Sequence, residues 1–155
     1  MDAYVNSNIV DGKKADAALS GNGEVNASLI VVPVAAADAD GDVYRLLKSV
    51  PGDARIKSIT LEHGAITGGT DWDVGLYSTD LGPVKSKDAL ADGLTLASAG
   101  SKDGLSGVAL TDRAKRIYEL AGDSKSEGGY DLCLTANTVG TVAGTIVATI
   151  ELLLS

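Results

Sequence analysis

Phenylalanine is absent from this 155-residue sequence, and cysteine, histidine and tryptophan occur once each. A lone Cys133 cannot form an intrachain disulfide, so the chain is not a disulfide-stapled secreted domain. A lone His63 leaves no acyl-transfer triad: it sits in Leu61-Glu62-His63-Gly64, the end of a strand pattern, and no G-x-S-x-G nucleophile motif occurs. One Cys and one His cannot supply a tetrahedral zinc site. One Trp and five Tyr are too few to line the clefts in which sugars stack, which argues against glycosidases and carbohydrate binders. No apolar stretch reaches the ~18 residues of a membrane helix, the longest run being Leu29 to Ala37. The N-terminus, Met1-Asp2-Ala3-Tyr4-Val5-Asn6-Ser7-Asn8, lacks the positive and apolar regions of a signal peptide. The chain is expected to stay in the cytoplasm in which it is made unless it leaves within an assembly.

Against those absences stand 45% hydrophobic residues, 22% charged residues and 19 glycines with 3 prolines. That composition folds, since it is far from the low-hydrophobicity, high-charge regime of disorder. With so few aromatics the core must be Val, Leu, Ile and Ala, which suits sheets packed face to face. Scattered glycines between apolar runs punctuate many turns. The formal net charge of −8 repels phosphate backbones and anionic lipid, so neither nucleic acid nor membrane is an expected partner.

Residues 1–24 carry turn and charge signals around weak apolar clusters and read as an N-terminal arm; residues 25–155 read as one domain. Leu29-Ile30-Val31-Val32-Pro33-Val34 shows little alternation and predicts a strand covered on both faces, with Pro33 at a sheet edge or bulge. Val43 to Val50 reads as a strand ended by Pro51-Gly52-Asp53, where Gly52 is expected to take a positive φ. Arg55 to Glu62 follows, with a bulge explaining the slip between Ile56 and Ile59. Trp72-Asp73-Val74-Gly75-Leu76-Tyr77 alternates cleanly, predicting one core face and one wet face. Two helices are expected, a weak one over Ser86–Leu90 and a strong one over Thr111–Ala121. The second would be N-capped by Thr111, ended by Gly122 and apolar along Leu110, Ala114, Ile117 and Ala121. Tyr130 to Ala136 and Thr145 to Ser155 return to alternation. About seven or eight strands without a βαβ rhythm or an internal repeat give an all-β fold with short helices, a β-sandwich or jelly roll.

Candidate chemistry is sparse. Gly68-Gly69 and Gly128-Gly129 lack the P-loop lysine and the Rossmann spacing and read as turns. Asp38, Asp40 and Asp42, with Asp71 and Asp73 as helpers, form the densest run of carboxylates and are the weak candidates for a metal. They depart from the EF-hand pattern and lack its terminal Glu, so no metal and no cofactor is expected. Cys133, between Leu132 and Leu134, reads as a small structural residue under other elements, and His63 as a strand-end histidine.

The stretch Asp42-Val43-Tyr44-Arg45-Leu46-Leu47-Lys48-Ser49-Val50-Pro51-Gly52-Asp53-Ala54-Arg55-Ile56, continued by Trp72-Asp73-Val74-Gly75-Leu76-Tyr77, resembles the jelly-roll cement, or decoration, proteins of tailed phages, of the kind carried by a Bordetella phage. The resemblance implies a non-enzymatic virion protein without catalytic residues. Such a protein is assembled in the host cytoplasm, binds the capsid exterior and reinforces the major capsid protein lattice against internal DNA pressure. It implies the major capsid protein and the chain itself as partners, a homodimer being preferred and a homotrimer the variant. A tail, fibre or other adhesive ligand-binding module is the alternative. Strand faces too apolar for water, in Leu29–Val34 and Thr145–Leu154, suggest subunit interfaces. The arm Asp2–Gly23 and the charged loops, including Asp38–Asp42 and Lys85–Asp88, are the expected partner contacts. With Met1 at one end and a strand at the other, the chain is expected to be complete in itself.

Overall fold

The computed structural model describes residues 24–79, 84–126 and 128–154, and the expected arm lies outside them except for its last residue. Among the described residues eight strands form two antiparallel four-stranded sheets. The strands are β1 (Glu24–Val34), β2 (Asp42–Pro51), β3 (Arg55–His63), β4 (Asp71–Ser78), β5 (Val84–Leu94), β6 (Gly100–Asp103), β7 (Gly129–Thr138) and β8 (Gly144–Leu154). One sheet runs β1-β8-β3-β6 and the other β2-β7-β4-β5. First therefore pairs with last, second with seventh, third with sixth and fourth with fifth, the nested wrapping of a jelly roll. The all-β, jelly-roll expectation holds.

The alternating sequences explain the layers. In β8, Ile146, Ala148, Ile150 and Leu152 point inward and are buried, while Thr145, Val147, Thr149 and Glu151 point outward. They meet Trp72, Val74 and Leu76 of β4 and Tyr130, Leu132 and Leu134 of β7 across one aliphatic core. Tyr44 stacks on Trp72 with ring centroids 5.5 Å apart, so the single tryptophan has an aromatic neighbour. The register of β3 on β8 slips between Ile56 and Ser58, which is the expected bulge. Among the described residues no helix is long and apolar enough to cross a membrane.

Several expectations fail for physical reasons. β1 is buried on one face only: Val32 and Val34 point to the core, whereas Val25, Leu29 and Val31 are exposed. Its position at the edge of the sheet accounts for Pro33, as expected, because an edge residue can lack an N–H. Ser86–Leu90 is strand, not helix, and Lys85–Asp88 is not a loop, since both lie in β5. β5 pairs Val74 with Ala91 but Leu76 with Ser86, so the intervening residues arch out of the ladder. The arch crosses the outer face of β4, where a Cβ on Gly75 would meet the Ser86 and Lys87 backbone. Gly75 is glycine because another backbone approaches it. The outer face expected to be wet is thereby covered, and Asp73 and Gly75 are buried.

The strong helix shrinks to a 3₁₀ turn, Leu110–Asp112, and one α-helical turn, α1 (Ile117–Leu120). Thr111 caps nothing; Arg116 is the extended N-cap residue, with Glu119 receiving its backbone N–H at 2.9 Å. Arg116 bridges to Arg55, the Ile117 N–H donates to Ala54 O at 2.9 Å, and the Arg116 guanidinium donates to Asp53 O at 2.8 Å. These tertiary bonds compete with helix propagation and win. Of the expected stripe, Ile117 and Ala121 are buried but Leu110 is 86% exposed. Gly122 takes the expected C′ conformation with φ 88°. Gly52 does not take a positive φ; it is glycine because a Cβ would lie 2.7 Å from the Tyr130 ring.

Candidate interaction surface

The outward face of the β1-β8-β3-β6 sheet changes character across its width. At the β1 edge it presents Val25, Leu29 and Val31, which are 52%, 70% and 62% exposed. Val31 lies opposite Val147 of β8, and Val25 opposite Leu153, so the apolar strip extends onto the second strand. Farther in, Glu151 accepts from Ser58 Oγ at 2.9 Å and from Lys57 Nζ at 3.4 Å. The Ser58 hydroxyl first and the Lys57 ammonium second hold the Glu151 carboxyl below its ordinary range. This face is apolar at its β1 edge and polar at its centre.

The opposite sheet's outer face is closed by the chain itself. On β7, Asp131 is fully buried, accepting from Arg45 Nη1 at 3.2 Å and from the Ser49 N–H at 2.9 Å, both on β2. Cys133 lies opposite Gly75 and is likewise buried. Burial chiefly, then the Asp131 charge, push its thiol up to about 12, with Arg45 opposing. That thiol is a packing group and a poor nucleophile. Tyr77 and Thr135 hydroxyls join at 2.8 Å on the same face, and Lys87 Nζ reaches Asn137 Oδ1 at 2.8 Å.

The three aspartates singled out from sequence do not converge. Asp38 Oδ2 accepts from the Ala35 N–H at 3.0 Å and from Tyr44 OH at 2.7 Å. Asp42 accepts from the Ala39 N–H at 2.9 Å, and Asp40 from the Val139 N–H at 3.0 Å. Each carboxylate caps a turn or ties loops together. The Tyr44 hydroxyl, then the Ala35 amide, lower the Asp38 carboxyl, while burial and Asp38 raise the Tyr44 phenol.

The structure instead gathers Asp71 and Asp73 with Asp92, their carboxylate oxygens within 4.8 Å of one another. Buried Asp73 accepts from the Gly93 N–H at 3.0 Å and from Asn137 Nδ2 at 2.7 Å. Asp92 hydrogen-bonds to Asp73, and that bond, then the Asp73 charge, burial, and the Asp88 and Asp71 charges, hold its carboxyl above the ordinary range. Oxygen ligands of this kind suit a hard divalent cation. Sequence reasoning had Asp71 and Asp73 but missed Asp92, whose one local signal is the Asp92-Gly93 turn dipeptide. His63 ends β3 as expected, buried, with Nδ1 3.0 Å from Gly64 O.

No protein-family model matches the sequence, and no curated protein matches it. Solved structures do. A chain from the capsid of Ralstonia phage GP4 superposes with a TM-score of 0.57 at 19% identity, over 86% of each chain. A chain from the Cyanophage Pam1 capsid asymmetric unit does so at 0.57 and 15% identity, over 99% of this chain and 95% of that one. This is a fold used in phage capsids. At these identities the likeness extends to the jelly-roll frame and leaves the surface to be argued from this chain's own residues.

Proposed function

We propose that this chain is a structural, non-enzymatic virion protein: a cement that sits on the outer surface of a phage capsid and reinforces the major capsid protein lattice against internal DNA pressure. The observation that carries the reading is a jelly roll that matches a chain of the Cyanophage Pam1 capsid over nearly the whole length of both. It is supported by an interior filled with aliphatic packing and by an apolar strip of the kind that marks a protein interface. Assembly in the host cytoplasm follows, with the major capsid protein and further copies of the chain as partners. A homo-oligomer that touches several capsid subunits multiplies weak contacts by effective concentration. Asp2–Gly23 and the surfaces of Asp38–Asp42 and Lys85–Asp88 make the capsid contacts.

The test is co-sedimentation of the purified protein with mature heads that lack it, scored for saturable stoichiometry and for resistance of the heads to heat. Saturable binding with a raised inactivation temperature is the expected result. Absence of binding would move the chain to a tail, fibre or ligand-binding role.

A further inference from the structure

Each sheet has two edges, formed by β1 and β6 in one and by β2 and β5 in the other. Natural sheets blunt such edges with charge, bulges or shortness, because an open edge templates pairing with another chain. Three of these edges are blunted. β6 spans 4 residues, Gly100–Asp103, including Lys102 and Asp103. β5 carries Lys85, Lys87, Asp88 and Asp92 and is broken by its arch. β2 carries Arg45 and Lys48, slips register twice, and holds Ser49 at φ 54°.

β1 is the exception. It is 11 residues long and pairs with β8 without a register shift. From Val25 to Val34 it has no charged residue, in a chain whose formal net charge is −8. Pro33 removes one N–H near its end, and among the described residues the ladder from Val25 to Val32 is open on the side away from β8. From this we infer that the β1 edge is the pairing surface for a second copy of the chain, joined antiparallel about a twofold axis near Leu29 and continuing the β1-β8-β3-β6 sheet across both molecules.

The sequence is self-complementary in that arrangement. With Leu29 on the axis it faces its own copy, Ala27 faces Val31, and Val25 faces Pro33, so apolar meets apolar along the exposed side, while the inner side pairs Ser28 with Ile30 and Asn26 with Val32. Two strongly acidic molecules then meet along a line free of charge, where neither repels the other locally. A partner attracted by charge would find nothing to read on this edge. One strand pair with flanking side chains lies at the small end of stable interfaces, so dissociation on the order of micromolar is expected. The inference stands on the edge alone and does not require the capsid reading; a dimer that ignores phage heads would leave it intact.

Sedimentation equilibrium of the full chain between about 1 and 100 μM tests it. A concentration-dependent dimer is expected, with Leu29→Lys weakening it on the order of a hundredfold, because each copy loses a buried leucine and gains an opposed charge. Leu29 is 70% exposed in the single chain, so near-UV dichroism of the variant should be unchanged. Val84→Lys, at a similarly exposed valine on the β5 edge, should leave the dimer intact. Leu29→Cys should form a disulfide-linked dimer on oxidation without interference from buried Cys133. A wild type that stays monomeric or forms a trimer, or a Leu29→Lys variant that dimerises as tightly as wild type, would overturn the inference.

Discussion

Replacing Gly75 by alanine should damage the covered face far more than the loss of one hydrogen suggests. The new Cβ would press on the Ser86 carbonyl and on the Lys87 backbone, and backbone atoms, unlike a flexible side chain, cannot rotate aside. Overpacking of this kind costs about 1–3 kcal/mol, and an obstacle made of main chain belongs near the top of that range. Alanine also restrains the unfolded chain, which returns about 0.5–1 kcal/mol. The net loss is about 2 kcal/mol, or roughly 4–8 °C in Tm for a domain of this size. The structure relieves the clash most easily by lifting the β5 arch, which uncovers the strand carrying Cys133. A thiol pushed up to about 12 by burial reacts with a disulfide reagent only through opening, so 2 kcal/mol should speed labelling about thirtyfold. Gly100 has open space around its would-be Cβ and an ordinary φ, and Gly100→Ala serves as the control, expected within about 0.5 kcal/mol of wild type. If Gly75→Ala matched that control in both stability and labelling, the arch would not rest on β4 and the account of the closed face would fail.

Removing the buried Asp131 carboxylate takes away the acceptor of both Arg45 and the Ser49 N–H. Because Arg45 is 32% exposed, water offsets part of the penalty, and Asp131→Ala should cost about 2–3 kcal/mol in denaturant unfolding, with Asp131→Asn milder; a cost below about 1 kcal/mol would contradict the geometry. The acid response should divide by sign. Asp38, lowered below its ordinary 3.8 by the Tyr44 hydroxyl and the Ala35 amide, contributes stability present above that value and lost as pH falls through the folded one, so Tyr44→Phe should flatten the acid limb of a melting profile. Asp92, raised by Asp73, acts oppositely: the folded state holds its proton more tightly, and stability is lost as pH rises through its folded value. Asp92→Asn should therefore raise Tm at pH 7 and lose that advantage near pH 3; a lowered Tm at pH 7 would reverse the assignment.

Much of the frame was legible because alternation is a local signal. Thr145–Leu154 and Tyr130–Ala136 declare which side chains face inward, and the slip between Ile56 and Ile59 announces its bulge. Errors arose where a distant partner decided the outcome. Nothing near Ser86–Leu90 says that this segment will arch over Gly75, and the helical pattern of Thr111–Ala121 is overruled by Arg55, Ala54 and Asp53, about sixty residues upstream in the chain. The dense aspartate run Asp38–Asp42 drew attention by composition, although its carboxylates satisfy nearby amides. The group that gathers, Asp71, Asp73 and Asp92, spans β4 and the far end of the arched strand β5 beside it, a proximity that no spacing rule encodes. The exposed face of β1 was visible as excess hydrophobicity, but whether that excess turned inward or outward depended on the strand's place at the sheet edge.

The nested pairing of the strands also sets the order in which the molecule can form. Val32 pairs with Ile146, more than a hundred residues later in the chain, so no ribosome-bound fragment can close the sheet before β8 has emerged. Loop closure over such spans rewards the chain late, and folding in the millisecond-to-second range or slower is expected of a topology this rich in distant pairs. Until then β3 lacks its central neighbour and the apolar inner faces of both sheets lie open, which places the hazard of aggregation in the nascent chain. Strand β8 locks β1 from more than a hundred residues away, and only after it has emerged can the chain display the edge at which two molecules would meet.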